Sequence, residues 1–184
     1  MLGYLKLKNY LPFACHKTVY DIDYSKLYEE NRRIILIDLD NTLIPYDIFV
    51  PQEIHLEYFK KLKDIGFSVI LISNNKEERV KRFAEAVNCQ FVFSATKPLQ
   101  RGYKKALKLV KFNSKNEIIA IGDQLMTDVL GGTKFGIDTI LVSPIKRKSE
   151  KWYTKLNRIM EKRVLKKIST KHPNIYKNIK SLEE

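Results

Sequence analysis

Four groups of polar residues stand where carboxylate and phosphate chemistry could take place. The first holds two acids two positions apart, Asp38 and Asp40, with Thr42 close behind. The others are Ser73-Asn74-Asn75, Lys97 before Pro98, and Gly122-Asp123 with Asp128 five residues on. Four carboxylates held together need a cation. Because no His or Cys is nearby in the sequence, the ion they favour is a hard one with oxygen ligands, such as Mg²⁺.

The remaining polar residues suit a phosphate group. Lys97, Thr42 and Ser73 can donate hydrogen bonds to phosphate oxygens. Together with carboxylates and Mg²⁺ they indicate phosphoryl transfer, in which the protein supplies positioning and charge compensation. Two acids in one loop can divide the work, one attacking phosphorus to give an aspartyl-phosphate and the other acting as acid and then base. The alternative is that Asp38 and Asp40 are only turn and cap residues.

The elements that must position these groups alternate between strands and helices. Short apolar runs predict strands at 33–38, 67–72, 91–93, 117–121 and 137–142. Helical patterns lie between them, opened at Pro51, Asn75, Pro98 and about Thr127, and the last is broken by Gly131-Gly132. This order predicts an α/β fold with a doubly wound, Rossmann-like parallel sheet of about five strands. The four polar groups follow strands, so they should meet at the carboxyl edge, where ligands bind.

Length and composition limit the class of protein. With 184 residues and 44% apolar content, we expect one core over residues 31–145, an N-terminal segment 1–30 packing on it, and an extension over 146–184. The only cysteines, Cys15 and Cys89, exclude a disulfide framework and a thiolate-based zinc site. No apolar run is long enough to cross a bilayer, and Met1–Cys15 lacks the pattern of a signal peptide. A cytoplasmic protein without a transmembrane segment is expected.

The net charge of +13 is concentrated near the C-terminus. Residues 146–180 carry thirteen Lys or Arg and two acids, whereas residues 1–145 carry a net charge of +4. Such a tail indicates nucleic acid, anionic lipid or an acidic partner, or is simply a solvated helix. Apolar residues recur in it at helical spacing: Trp152, Leu156, Ile159, Met160, Val164 and Ile168. This basic amphipathic helix suits an anionic membrane surface, and packing of its apolar stripe on the core is equally compatible with the pattern.

The ordered motifs resemble those of the haloacid dehalogenase (HAD) phosphatase superfamily. Ile37–Leu43 looks like the first motif, DxDxT, and the other three polar groups resemble the second to fourth motifs in order. The narrower resemblance is to the YqeG-like phosphatases of HAD subclass IIIA and covers nearly the whole chain, through DNTL, SNN, GDQLMTDVLGG, ILVSPI and the stretch 156–163. That group is related to phosphatidylglycerophosphate phosphatases of mitochondria and plastids.

The resemblance implies a role for each matching residue. Asp38 would be the nucleophile and a Mg²⁺ ligand, and Asp40 would be the acid and base while its backbone carbonyl binds Mg²⁺. Asp123 would be a further Mg²⁺ ligand. Asp128 would orient the lysine or a metal-bound water from the second shell. The residues implied to bind the phosphate are Thr42, Ser73, Asn74 and Lys97.

The motif spacing bears on the substrate. Ser73 lies 31 residues after Thr42, and Lys97 lies 24 residues after Ser73. Neither interval can hold an inserted cap domain beside its predicted helix and strand, because a small domain needs roughly 40 residues. An open site admits a phosphate that protrudes from a bulky substrate. With the basic tail, our leading interpretation is phosphatidylglycerophosphate, handled in the cytoplasm or peripherally at the inner face of the membrane.

Two other functions remain compatible with the sequence. The first is a nucleic-acid-binding or ribosome-associated protein that uses the basic tail. The second is a capless phosphatase of a soluble metabolite, with neighbouring subunits of an oligomer closing the site.

Overall fold

The computed structural model of the chain describes residues 6–146 and 152–182, with side chains for 6–146 and 160–182. The strands are β1 Ala14–His16, β2 Ile34–Ile37, β3 Ser68–Ile72, β4 Gln90–Val92, β5 Ile118–Gly122 and β6 Asp138–Val142. The helices are α1 Tyr24–Glu29, α2 Glu53–Ile65, α3 Glu77–Ala86, α4 Gln100–Leu107, α5 Leu130–Phe135, α6 Trp152–Lys171 and α7 Pro173–Lys180. Short 3-10 helices cover Leu7–Tyr10, Val19–Asp21 and Lys115–Glu117, and Leu125–Val129 forms a π-helical turn before α5.

The strands form one parallel sheet in the order β1-β6-β5-β2-β3-β4. Its parallel pairs confirm the predicted doubly wound α/β fold. The five predicted strands are present, and β1 adds a sixth from within the N-terminal segment. Ala14 pairs with Ile140 of β6. Sequence analysis did not predict β1, because three half-buried residues carry no apolar run.

Helices cover both faces of the sheet. Alternate residues of a strand point to opposite faces, so Ile35 and Ile37 of β2 pack with α2 and α3. Their neighbours Ile34 and Leu36 pack with α4 and α5. With both faces apolar and covered, polar side chains collect at the ends of the strands.

Glycine ends two helices and permits close packing in a third. Gly66 and Gly136 adopt positive φ angles of 111° and 83° at the ends of α2 and α5, a conformation that glycine adopts without strain. The predicted break at Gly131-Gly132 is wrong, because both residues lie inside α5. A Cβ atom on Gly131 would lie 2.7 Å from the hydroxyl oxygen of Tyr103, so the glycine is needed for packing against α4.

Two predicted helix starts are also corrected. The cap of α3 is Lys76 rather than Asn75, and the Asn75 side-chain amide instead donates to Asp40 at 3.0 Å. The Lys97-Pro98 peptide is cis, and α4 begins at Gln100, after the proline. In both places a residue expected to start a helix belongs to the loop that carries the polar groups.

The described part of the basic tail packs on the core through its apolar side. Ile168 of α6 and Ile179 of α7 are buried with Tyr10, Val129 and Leu141. Met160 and Val164 pack against the same cluster. The side chains of Trp152, Leu156 and Ile159 lie outside the described residues. Within the described ranges, no helix is both long and apolar enough to span a bilayer.

Candidate active site

The four polar groups meet at the carboxyl edge of the sheet, as the parallel fold requires. Asp38 follows β2 directly and its backbone N–H donates to Ile121 of β5 at 2.9 Å. Ser73 follows β3, and Asp123 follows β5. The four carboxylates, Thr42, Ser73 and Lys97 are buried. Residues up to 90 positions apart are thereby brought to one place.

Lys97 joins two of the carboxylates. Its Nζ donates to Asp38 Oδ1 and to Asp128 Oδ1, each at 2.6 Å. Thr42 Oγ1 donates to the other oxygen of Asp38 at 3.3 Å. Tyr103 lies beneath this pair and donates to the backbone carbonyl of Asp128 at 3.3 Å. The ammonium group is therefore fixed beside the predicted nucleophile.

Electrostatics at this point follow from burial and from the charge pairs. Burial raises the pKa of Asp38 to about 7, with Lys97 opposing the rise and Asp128 and Asp40 adding to it. For Lys97, burial alone would lower the pKa, but attraction to Asp128 and Asp38 outweighs it and the pKa is raised. The lysine is therefore a permanent cation. The negative charge of the surrounding carboxylates exceeds the single positive charge of Lys97, as expected where a further cation or a proton is needed.

The carboxylates fit a divalent cation. Asp38, Asp123 and Asp128 each offer an oxygen, and the three oxygens lie within 4.8 Å of one another. All three residues are buried. A compact set of carboxylate oxygens is the donor type that Mg²⁺ takes, so the residues present fit this ion. Asp128, predicted to act from the second shell, lies in the same cluster as the predicted ligands.

The predicted phosphate-binding residues border the cluster. The Asn74 amide contacts the Lys97 backbone twice, donating to its carbonyl at 3.0 Å and accepting from its N–H at 2.6 Å. Asn74 thus fixes the loop that carries the lysine. Ser73 Oγ donates to Asp40 Oδ2 at 3.3 Å and accepts from the Asn75 N–H at 3.1 Å.

Arg79 of α3 is a site residue that sequence analysis missed. Its Nε donates to Asp40 Oδ1 at 2.6 Å, and both side chains are only 7% exposed. Its two Nη atoms donate to the carbonyls of Pro45 and Ile48, each at 2.9 Å. Arg79 therefore ties Asp40 to the loop after it. The one sequence signal was its position four residues before Phe83, on the buried side of α3.

The described residues enclose the cleft over this cluster only in part and leave its remaining side open. It has a volume of about 460 Å³ and is lined outside the cluster by Tyr46, Gln124, Met126, Lys134 and Met160. Residues 38–97 are all described, and they add only α2, β3, α3 and β4, so that interval contains no inserted cap domain.

Comparison with known proteins identifies the family of this chain. The sequence profile of the haloacid dehalogenase-like hydrolases matches residues 47–136. "Probable phosphatase YqeG" of Bacillus subtilis (strain 168) is 38% identical over 164 residues, which are 89% of this chain and 94% of that protein. The chain belongs to the haloacid dehalogenase-like hydrolases and, among them, to the YqeG-like phosphatases. It is therefore a phosphatase.

Two solved structures are similar to parts of this chain at low identity. An uncharacterized protein from Listeria monocytogenes serotype 4b is 19% identical, with a TM-score of 0.49 over 59% of this chain and 77% of that one. A hypothetical protein from Xanthomonas campestris is 14% identical, with a TM-score of 0.49 over 77% of this chain and 79% of that one. The family assignment does not depend on either.

Proposed function

We propose that the chain is a Mg²⁺-dependent phosphomonoesterase that acts through an aspartyl-phosphate on Asp38. The observation that carries this proposal is the buried cluster in which Lys97 lies 2.6 Å from both Asp38 and Asp128, with Asp123 close by. Asp38, Asp123 and the Asp40 backbone carbonyl would hold Mg²⁺. When bound, the ion would compensate the charge of the phosphate oxygens.

The chemistry divides between the two acids of the first loop. An oxygen of Asp38 attacks phosphorus, the bond to the leaving oxygen breaks, and Asp40 gives that oxygen a proton. Asp40 then takes a proton from the water that hydrolyses the aspartyl-phosphate. Lys97 screens the charge of the phosphoryl group, and Thr42 and Ser73 donate hydrogen bonds to it.

The open cleft favours a phosphate carried on a bulky molecule, and phosphatidylglycerophosphate is the substrate we propose. It would be reached from the cytoplasm, with the protein peripheral at the inner, anionic face of the membrane. The exposed basic side of α6 supports this placement through residues such as Lys162, Lys166 and Lys167.

The first test is phosphate release from p-nitrophenyl phosphate with Mg²⁺ and with a chelator. We expect activity that needs the metal and is lost in Asp38→Asn. Asp64→Asn is the matched control, because Asp64 is an exposed acid on α2. Full activity in Asp38→Asn, or equal loss in the two variants, would contradict the assigned nucleophile.

The second test identifies the substrate with a panel of phosphatidylglycerophosphate, a phosphopeptide, 5′-phosphorylated RNA and sugar phosphates. We expect the highest kcat/KM on the lipid. If the protein does not hydrolyse the lipid but turns over another class of substrate, the proposal of phosphatidylglycerophosphate as the substrate is overturned.

A separate RNA-binding assay tests the nucleic-acid alternative, which predicts RNA binding that survives Asp38→Asn. Exposed cations such as Lys162 and Lys166 should be substituted for this purpose rather than the tail removed. Truncation would strip Ile168 and Ile179 from the core.

A further inference from the structure

A second cavity lies beside the catalytic cleft. It has a volume of about 800 Å³ and lies between the 3-10 helix Leu7–Tyr10 and α6. Its apolar wall consists of Leu7, Tyr10, Met126, Met160 and Val164. The volume is within the range of ligand pockets in proteins, which are mostly apolar with a few placed polar groups. We name this cavity the α6 groove.

The rim of the α6 groove is cationic. Arg163, Lys166, Lys167 and Lys171 of α6 line it and are exposed. Arg163, Lys167 and Lys171 are spaced by four residues and Lys166 lies three residues after Arg163, so the four cations lie along one side of the helix. An apolar wall under a row of positive charge is complementary to a ligand that has a hydrocarbon part and an anionic part.

The α6 groove adjoins the site of phosphoryl transfer. Met126 and Met160 line both the groove and the cleft that contains Asp38 and Lys97. Met126 is held there because it belongs to the π-helical turn that follows Asp123. A single elongated molecule can therefore place a phosphate at Asp38 and an apolar chain between the 3-10 helix and α6.

We propose that the α6 groove binds the hydrocarbon chain of a phosphorylated lipid whose phosphate enters the catalytic cleft. This inference rests on the proposed function and adds a chain-binding site to it. The rim cations contact anionic groups of the same lipid molecule outside the cleft. Polynucleotides would satisfy the rim but not the apolar wall, and a small soluble metabolite would leave the groove without an occupant.

A series of alkyl monophosphates tests the groove in the unaltered protein. Butyl, octyl and dodecyl phosphate differ only in chain length, and full burial of one methylene is worth a factor of about four. We expect kcat/KM to rise at least about tenfold from butyl to octyl phosphate. Equal kcat/KM values across the series would overturn the proposal.

Val164→Trp fills the groove, and Lys162→Trp is the control on the same helix, since Lys162 is exposed and does not line the groove. We expect the first variant to remove the preference for long chains while p-nitrophenyl phosphate, which has no chain, is hydrolysed within about twofold of the original rate. The control should keep the preference. Equal loss on all substrates, or in both variants, would contradict a chain-binding role.

Binding without turnover separates this inference from the proposed function. Titration calorimetry on Asp38→Asn should show dodecyl phosphate binding at least about tenfold more tightly than butyl phosphate, and adding Val164→Trp should abolish the difference. Absence of that difference in the Asp38→Asn protein overturns the proposal that the groove binds a hydrocarbon chain. If the protein binds long chains but releases no phosphate from any substrate, the chain-binding role of the groove is supported and the proposed function is overturned.

Discussion

Replacing Arg79 by methionine tests whether this residue positions Asp40. The substitution keeps an unbranched apolar stem but removes the Nε atom 2.6 Å from Asp40 Oδ1. It also removes the two hydrogen bonds to the carbonyls of Pro45 and Ile48. What remains is a buried carboxylate that has lost its cation.

The size of the effect follows from burial. Removing one partner of a buried ion pair costs about 3–5 kcal/mol of unfolding free energy, since the other charge stays in the interior. In a chain of this length each kcal/mol shifts Tm by roughly 2–4 °C. We therefore expect Arg79→Met to lower Tm by roughly 6–20 °C. Exposed Arg82 on the same helix is the matched control, and Arg82→Met should change stability by less than about 0.5 kcal/mol.

Activity gives a second measurement that a purely structural role would not affect selectively. A p-nitrophenolate leaves without a proton, whereas in the proposed mechanism the alcohol of an alkyl phosphate needs one from Asp40. General acid catalysis is worth roughly 100- to 10,000-fold. Partial misorientation should therefore lower kcat for octyl phosphate by at least about tenfold more than for p-nitrophenyl phosphate. Arg79→Lys should be intermediate, because an ammonium group keeps the charge and loses the planar fork.

A double-variant cycle decides whether the ion pair is responsible. Combining Arg79→Met with Asp40→Asn removes both charges, so the double variant should recover at least about 1 kcal/mol relative to additivity. Additive effects of the two substitutions would refute a role for the ion pair, as would an Arg79→Met protein that unfolds no more easily than Arg82→Met.

Three further predictions concern charge at the site and the two thiols. Burial raises the pKa of Asp38 to about 7, so the contribution of Asp38 to the stability of the metal-free protein is fully present below pH about 4 and is lost as pH rises through about 7. Because a metal ligand must be ionised, the rise in Tm on adding Mg²⁺ should be larger at pH about 8 than at about 6, and it should be absent in Asp38→Asn. Lys97→Met should lower kcat about 100-fold and cost the metal-free protein about 3–5 kcal/mol by urea unfolding, because two buried carboxylates lose their shared cation; a loss under 1 kcal/mol contradicts the ion pairs. Burial raises the pKa of Cys15 to about 11 and of Cys89 to about 12, so both thiols should react with a disulfide reagent at pH about 8 far more slowly in the folded than in the unfolded protein.

The main elements and the predicted site residues could be identified from local pattern. The run Ile34–Ile37 is apolar at every position because β2 is buried on both faces. Such a run can be recognised in the sequence without knowing which strands lie beside it. Asp38, Ser73 and Asp123 follow their strands directly. The parallel topology then brings them together without any further information.

Other features depend on contacts between distant parts of the chain. Arg79 sits among other charged residues of α3, and only its approach to Asp40, 39 residues earlier, distinguishes it from solvated neighbours. Strand β1 is too short to show a pattern and exists through its pairing with β6. Gly131 looks like a helix breaker until Tyr103 is placed against it.

The placement of the amphipathic tail also depends on contacts between distant parts of the chain. A helix with one apolar side must cover that side, but the sequence does not state whether lipid, another molecule or the core covers it. The contacts of Ile168 and Ile179 with Tyr10 and Leu141 show that the core covers the apolar side of the described part of the tail. The residues predicted to do chemistry could therefore be picked out from the sequence alone, because their neighbours in the chain define them. The α6 groove and the partner of Asp40 were decided only by tertiary structure, because both consist of surfaces that meet on folding.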